Sequence, residues 1–235
     1  MRQRILIWSV ASVLLAANAA SSQIVVVHDP TKTSPVTKLT AAEKRIFERD
    51  ALPPVRKMIK SEVCEESLQD AGVVRGAFTA ASKRQSLIFY EYCQTGNGFG
   101  WNGLALIEGD KVVGNFVSEG GWGVDIALVP DINQNGILEF TLAYSGGLHQ
   151  GIGGTGVDLM EFSDGLPVGI GWYKAEEFGP TGATNSWKLT AKPGKTPAFY
   201  KQKYSSGEGK RPRPVGRNAV TKLDAVFVSR FEPVK

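Results

Sequence analysis

The sequence predicts a mainly β protein, with propeller-like or meander four-stranded units in tandem behind a short N-terminal helical segment. Three observations carry this. Glycine, at 27 of 235 residues, exceeds the usual ~7% and implies many tight turns. From Val73 onward the apolar period changes from helical to alternating, with turn residues every eight to twelve positions. The β region also repeats on itself at a spacing of about 50 residues. Apolar residues at 42% can bury a sizeable core, while 21% charged residues and a net charge of +4 exclude wholesale disorder and an extreme nucleic-acid binder.

The first residues predict the compartment. Two arginines within Met1–Arg4, an almost unbroken apolar run from Ile5 to Ala17 and the small-x-small pattern Ala17-Asn18-Ala19 predict a signal peptide over 1–19. The run is short for a bilayer of about 30 Å, and no later segment approaches ~20 apolar residues, so no transmembrane segment is expected in the mature chain. The protein is therefore expected to be exported, periplasmic or extracellular. Residues 20–39, polar and carrying Pro30 and Pro35, form an extended leader.

Residues 40–72 form the helical segment. Thr40 with Glu43 makes a capping box, and Ile46, Leu52, Val55, Met58 and Ile59 recur at near-helical spacing. Pro53-Pro54 lacks two amide donors and should divide the segment into two short helices. The tandem β units span 73–185. Their strands are expected at Val73–Thr79, Ser86–Cys93, Gly103–Ile107 and Lys111–Val117, then Val124–Val129, Ile137–Tyr144, Val157–Phe162 and Leu166–Tyr173. Ile88-Phe89-Tyr90 aligns with Glu139-Phe140-Thr141 at a shift of 51, and Ile107–Gly114 with Phe162–Gly169 at a shift of 55. A propeller needs about four blades, and Val73–Lys235 holds about three at this period, so a closed ring is not expected. Residues 186–235 form a basic C-terminal β/loop region with candidate strands Ser186–Ala191, Ala198–Tyr204 and Asp224–Phe231.

The only cysteines are Cys64 and Cys93. In an oxidising compartment an even pair is most simply a disulfide, contributing roughly 3–4 kcal/mol in the chain-entropy picture; the alternative is two independent thiols. His28 and His149 lack the paired spacing of a zinc site. Charge is uneven: Lys188–Lys235 holds twelve Lys and Arg against three Asp and Glu, whereas Ala20–Trp187 holds thirteen against twenty. Such a region can engage an anionic envelope polymer or glycan. Lys210, Arg211, Arg213 and Arg217 lie in a Pro/Gly-rich stretch without interleaved aromatics, which argues against a nucleic-acid platform.

The strongest chemical signal is Asp131-Ile132-Asn133-Gln134-Asn135-Gly136-Ile137-Leu138-Glu139. Side-chain oxygens at positions 1, 3, 5 and 9, the carbonyl of Ile137 at position 7 and a turning Gly at 6 suit Ca2+, which takes several oxygens at about 2.3–2.6 Å in irregular geometry. The expected metal ligands are Asp131, Asn133, Asn135, Ile137 and Glu139. Position 12 is Leu142, and both flanks alternate as strands, so this is not a helix-loop-helix hand. The loop, with Ile126–Val129 before it and Leu138, Phe140 and Leu142 alternating after it, resembles the FG-GAP/VCBS repeat of the integrin α-subunit propeller and bacterial secreted proteins. That resemblance implies a calcium loop joining two strands of a blade, with a structural role. In the first unit Ser82 and Arg84 fall where ligands would be, so no site is expected there.

Gly151-Ile152-Gly153-Gly154-Thr155-Gly156 fits G-x-G-x-x-G, but an alternating stretch follows where a helix should open, so no dinucleotide site is expected. A catalytic triad would have to use His149. Asp125, Asp158, Glu161, Glu176 and Glu177 offer carboxylates for a glycosidase pair without any spacing that singles one out. Trp101, Trp122 and Trp172, near Gly-rich turns, can stack on sugar rings or fill the core. The expected role is an exported, non-enzymatic binding or scaffold protein with a structural calcium loop. The alternatives are a secreted polysaccharide hydrolase using a carboxylate pair, and an envelope-binding module acting through the basic C-terminal region.

Overall fold

Thr40 caps α1 (Ala41–Ile46) as its spacing requires: Glu43 N donates to Thr40 Oγ1 at 3.2 Å and Thr40 N to Glu43 Oε2 at 2.7 Å. The computed structural model that shows this describes residues 23–32, 37–60, 62–96, 98–149, 152–179, 184–207, 209–225 and 230–235. The expected signal peptide, 1–19, lies outside them. The helical segment divides without breaking. A five-residue π-helical turn, Phe47–Ala51, leads into α2 (Leu52–Met58), and Pro53 and Pro54 occupy α2's first turn. The wider turn lets the Leu52 amide reach Phe47 O, so the chain enters α2 before the two prolines withhold their donors.

Glu43 does more than cap. Its carboxylate also accepts from Arg75 Nε at 2.7 Å and Ser86 Oγ at 2.6 Å, tying the helix to two strands. Burial pushes this carboxyl up, but the hydrogen bonds from Arg75, Ser86 and Thr40 outweigh it and hold the group at about 2, below the ordinary 4.5. A depressed carboxylate stabilises the fold fully above pH ~4.5 and loses that contribution as pH falls through about 2. Glu43→Gln should therefore cost about 1–2 kcal/mol at pH 7. Urea melts at pH 7, 4 and 2 should show the gap from wild type shrinking; a gap constant with pH would refute the linkage.

Among the described residues, thirteen strands make two antiparallel sheets. The first contains β2 (Gln69–Gly76), β3 (Gln85–Gly96), β4 (Phe99–Glu108) and β5 (Lys111–Gly120) as a meander, with the two-residue β13 (Glu232–Pro233) on the outer edge of β5. The second runs through β6 (Trp122–Val129), β7 (Glu139–His149), β8 (Ile152–Ser163), β9 (Leu166–Phe178), β10 (Thr184–Lys192), β11 (Ala198–Ser206) and β12 (Arg213–Thr221). It is larger than a four-stranded unit because Glu176–Phe178 of β9 pair with Thr184–Ser186 of β10. The leader contributes β1 (Val25–His28), which docks beside Leu189–Ala191 of β10. No closed barrel forms among the described residues.

Both faces of β3 are buried. Ile88, Tyr90 and Tyr92 meet the helical layer through Phe47, Leu52 and Val55, while Leu87 and Phe89 meet the second sheet. The core between the sheets packs Phe78, Leu104 and Phe116 against Phe140, Leu142 and Phe162. A third core, with Ile132, Val157, Leu159, Leu189 and Val27, lies on the far face of the second sheet, which curls so that β10 and β1 cover it. The Cys64–Cys93 disulfide forms, with a Cα–Cα distance of 6.0 Å, and fastens the chain after α2 to β3.

The expected strand Asp224–Phe231 lies partly outside the described residues, at 226–229; of its described residues, Asp224 makes an isolated bridge to Trp172, and Phe231 is buried among the side chains between the sheets. A strand that was not expected, β12, forms in the Pro/Gly-rich stretch.

Candidate metal centre

Residues 130–138 join β6 to β7, and their own side chains fold them. Asp131 Oδ1 accepts from Asn135 N at 3.0 Å and Oδ2 from Gly136 N at 2.8 Å. Asn133 Oδ1 accepts from Asn135 N at 3.1 Å, and Asn135 Oδ1 from Ile137 N at 3.0 Å. Glu139, opening β7, turns back to accept from Ile132 N at 3.0 Å and Asn133 N at 3.3 Å. Gly136 has φ +89°, a backbone conformation that a Cβ would strain. The four expected side-chain ligands thus share one turn, with their oxygens on its amides; Ile137 contributes its amide to the same set.

The loop is also a joint. Leu138 N donates to Ala77 O of the β2–β3 connection at 2.8 Å, and Leu138 packs against the core between the sheets. Ile132, fully buried, enters the third core, and its carbonyl accepts from Gly194 N of the β10–β11 turn at 2.9 Å. A change in the loop would reach three parts of the molecule.

Glu161, on β8, belongs to this cluster. Its Oε2 accepts from Asn133 Nδ2 and Asn135 Nδ2, both at 2.8 Å, which fixes both amides with the oxygen turned to the loop and the nitrogen away. The sequence considered Glu161 only as a catalytic acid. The missing signal was register: Phe140 pairs with Met160, which sets Glu161 opposite Glu139.

Glu139 has no exposed surface. Burial pushes its carboxyl up from 4.5 to about 7, against the amides of Ile132 and Asn133 that hold it down. A buried carboxylate of this kind gains from a nearby cation. The donor set fits a hard divalent ion, since every candidate ligand is oxygen and no thiolate or imidazole is involved. Among the described residues no three His, Cys, Asp or Glu side chains converge as a metal site by themselves. A cation here would rely on the amide and main-chain oxygens as well as on Asp131 and Glu139.

The other carboxylates are dispersed. Asp125 sits on β6, its carboxyl pushed up to about 6 by burial, and Asp158 is buried on β8. Glu176 and Glu177 line a shallow groove with Thr155 and Trp172, and burial raises the Glu176 carboxyl. That groove adjoins a cleft of about 560 Å3 at the ends of the sheets, between Phe99, Glu119, Tyr144 and Trp172. Trp122 Nε1 donates to Phe99 O at 3.1 Å, and Trp101 packs against the helix-side core. His28 is half-buried, edge-on to Tyr173, and partial burial lowers it to about 4 despite Asp29 beside it. Residues 152–156 of the glycine-rich stretch, its described part, open β8 as strand.

No protein-family model matches the chain, and no curated protein or solved structure matches it.

Proposed function

We propose that the chain is an exported, non-enzymatic binding or scaffold protein of the FG-GAP/VCBS kind, an open stack of propeller-like β units pinned by one structural calcium loop. The observation that carries this reading is the buried Glu139 carboxylate at the base of a turn made by Asp131, Asn133 and Asn135. Asp131, Asn133, Asn135, the Ile137 carbonyl and Glu139 would hold the ion, with Glu161 orienting the two amides. Calcium would supply the positive charge that keeps Glu139 ionised and would cross-link ligands that span eight positions of the chain, from Asp131 to Glu139. Because the loop reaches Ala77 and Gly194, stiffening it would fix both sheets against each other. The Cys64–Cys93 disulfide fits an oxidising compartment. No helix among the described residues is long and apolar enough to cross a membrane.

Thermal unfolding tests the reading. With a dissociation constant of about 0.1 mM, usual for extracellular modules, 5 mM calcium should add about 2 kcal/mol, or roughly 5 °C. Magnesium should do far less, and Asp131→Ala should abolish the calcium response. No calcium response in the wild type would remove the metal from the proposal.

A further inference from the structure

We propose that β10–β12 form a binding surface for an anionic polysaccharide, a glycan bearing carboxylate or sulfate groups. This names a partner class for the reading above and rests on its export, not on its calcium loop.

Three of the basic residues counted in the sequence, Lys201, Lys203 and Arg213, come onto one face in the fold. β12 is the edge of the second sheet, and its residues 213–220 are all exposed, while every residue of β11 is partly so. Register places the charges. Lys201 lies opposite Leu189 and Ala219, Lys203 opposite Trp187 and Val215, and Ser205 opposite Arg213. Lys201, Lys203, Arg213 and Trp187 therefore share one face. Lys201 Nζ and Lys203 Nζ stand 5.7 and 5.8 Å from the Trp187 ring centre. The indole holds two ammonium groups side by side, so less side-chain freedom is lost when an anion arrives.

Among the described residues, these cations lack the carboxylate partners that six cations of the preceding part of the chain have. Lys44, Arg49, Arg56, Arg75, Lys83 and Lys174 each pair with a carboxylate. From Lys188 onward, the one such pair among the described residues is Lys188 with Asp29. Lys201, Lys203, Lys210, Arg211, Arg213 and Arg217 have none there, so their mutual repulsion is relieved by a polyanion.

The geometry argues against other occupants. A second copy pairing along β12 would bring Arg213 and Arg217 alongside their own counterparts, which like charge opposes. Insertion into a lipid surface needs one apolar face. The exposed Val215 and Val220 lie on opposite faces, because Val215 pairs with Lys203 and Val220 with Tyr200. Base stacking needs an open aromatic face, and lysines stand over Trp187. A flexible glycan with an anion on successive sugars needs only regularly spaced cations. An edge charged merely to prevent sheet pairing would show no preference among soluble polymers.

Immobilised polygalacturonate, dextran sulfate, neutral dextran, duplex DNA and phosphatidylglycerol vesicles test this with the full chain in its disulfide form. Polygalacturonate or dextran sulfate should be bound at 50 mM NaCl, at least tenfold more weakly at 200 mM, and neutral dextran not at all. Lys201→Gln with Lys203→Gln should weaken binding about tenfold, and adding Arg213→Gln and Arg217→Gln should abolish it, with the fold retained, since Arg213 and Arg217 are exposed and Lys201 and Lys203 partly exposed. Binding unaffected by these substitutions, anionic glycans held no better than neutral dextran, or tighter binding to DNA or vesicles would each overturn the proposal. The calcium response of the wild-type chain keeps the two readings apart: glycan binding without a calcium response sinks only the metal, and a calcium response without glycan binding sinks only this surface.

Discussion

Removing the Cys64–Cys93 bridge should lower the unfolding free energy by about 3–4 kcal/mol, which is roughly 10 °C in melting temperature for a chain of this size. The bridge closes a separation of 29 residues that includes all of β2 and the β2–β3 connection. In the unfolded chain that loop is free to open, so the crosslink acts mainly by restricting the unfolded state. Its native surroundings add to this. Cys93 is fully buried and Cys64 nearly so, both within the helix-side core, and Ser67 N donates to Tyr92 O at 3.0 Å one residue from the bridge. The Cys64→Ala/Cys93→Ala variant, compared with wild type by urea denaturation with and without reductant, is the measurement. Reductant should shift the wild-type midpoint and leave the double variant unmoved. A wild-type loss below about 1 kcal/mol would mean that helix and sheet packing hold the segment without the crosslink.

How much of this was legible in sequence depends on whether a residue's partner is near it in the chain. The capping box of Thr40 and Glu43 spans three positions and forms as read. The turn at 131–139 is local in its own folding, since the hydrogen bonds that Asp131, Asn133, Asn135 and Glu139 accept within it join residues no more than seven apart. β3 showed as Leu87-Ile88-Phe89-Tyr90, an apolar run without alternation, because helices cover one face and the second sheet the other. β12 left no such trace. None of its residues from 213 to 220 is buried, it contains Pro214 and Gly216, and a strand without a buried face has no apolar period to display. The docking of β1 on β10 joins residues more than 160 apart and has no local signature at all. Glu161 falls between these cases: it becomes a loop residue only once the β7–β8 register is known.

Truncating Phe162 should be the most damaging single change, costing about 3–5 kcal/mol for Phe162→Ala. Phe162 is 3% exposed and stands where the sheets meet, with ring centres 5.8 Å from Phe140 on its own sheet and 6.0 and 6.5 Å from Phe116 and Phe78 on the opposite side. No neighbour can fill the space without drawing one sheet toward the other, so the cavity term adds to the lost transfer energy. Phe99→Ala is the control: that ring is 60% exposed, and its loss should cost well under 1 kcal/mol. A double-mutant cycle with Phe116→Ala carries the argument further. If the sheets form one cooperative unit through this aromatic cluster, Phe116 and Phe162 should couple by about 0.5–1.5 kcal/mol and the denaturant slope should stay constant. Strict additivity, or a second unfolding transition in Phe162→Ala, would instead show two sheets that fold separately, and a loop bridging Ala77 and Gly194 would then have nothing rigid to join.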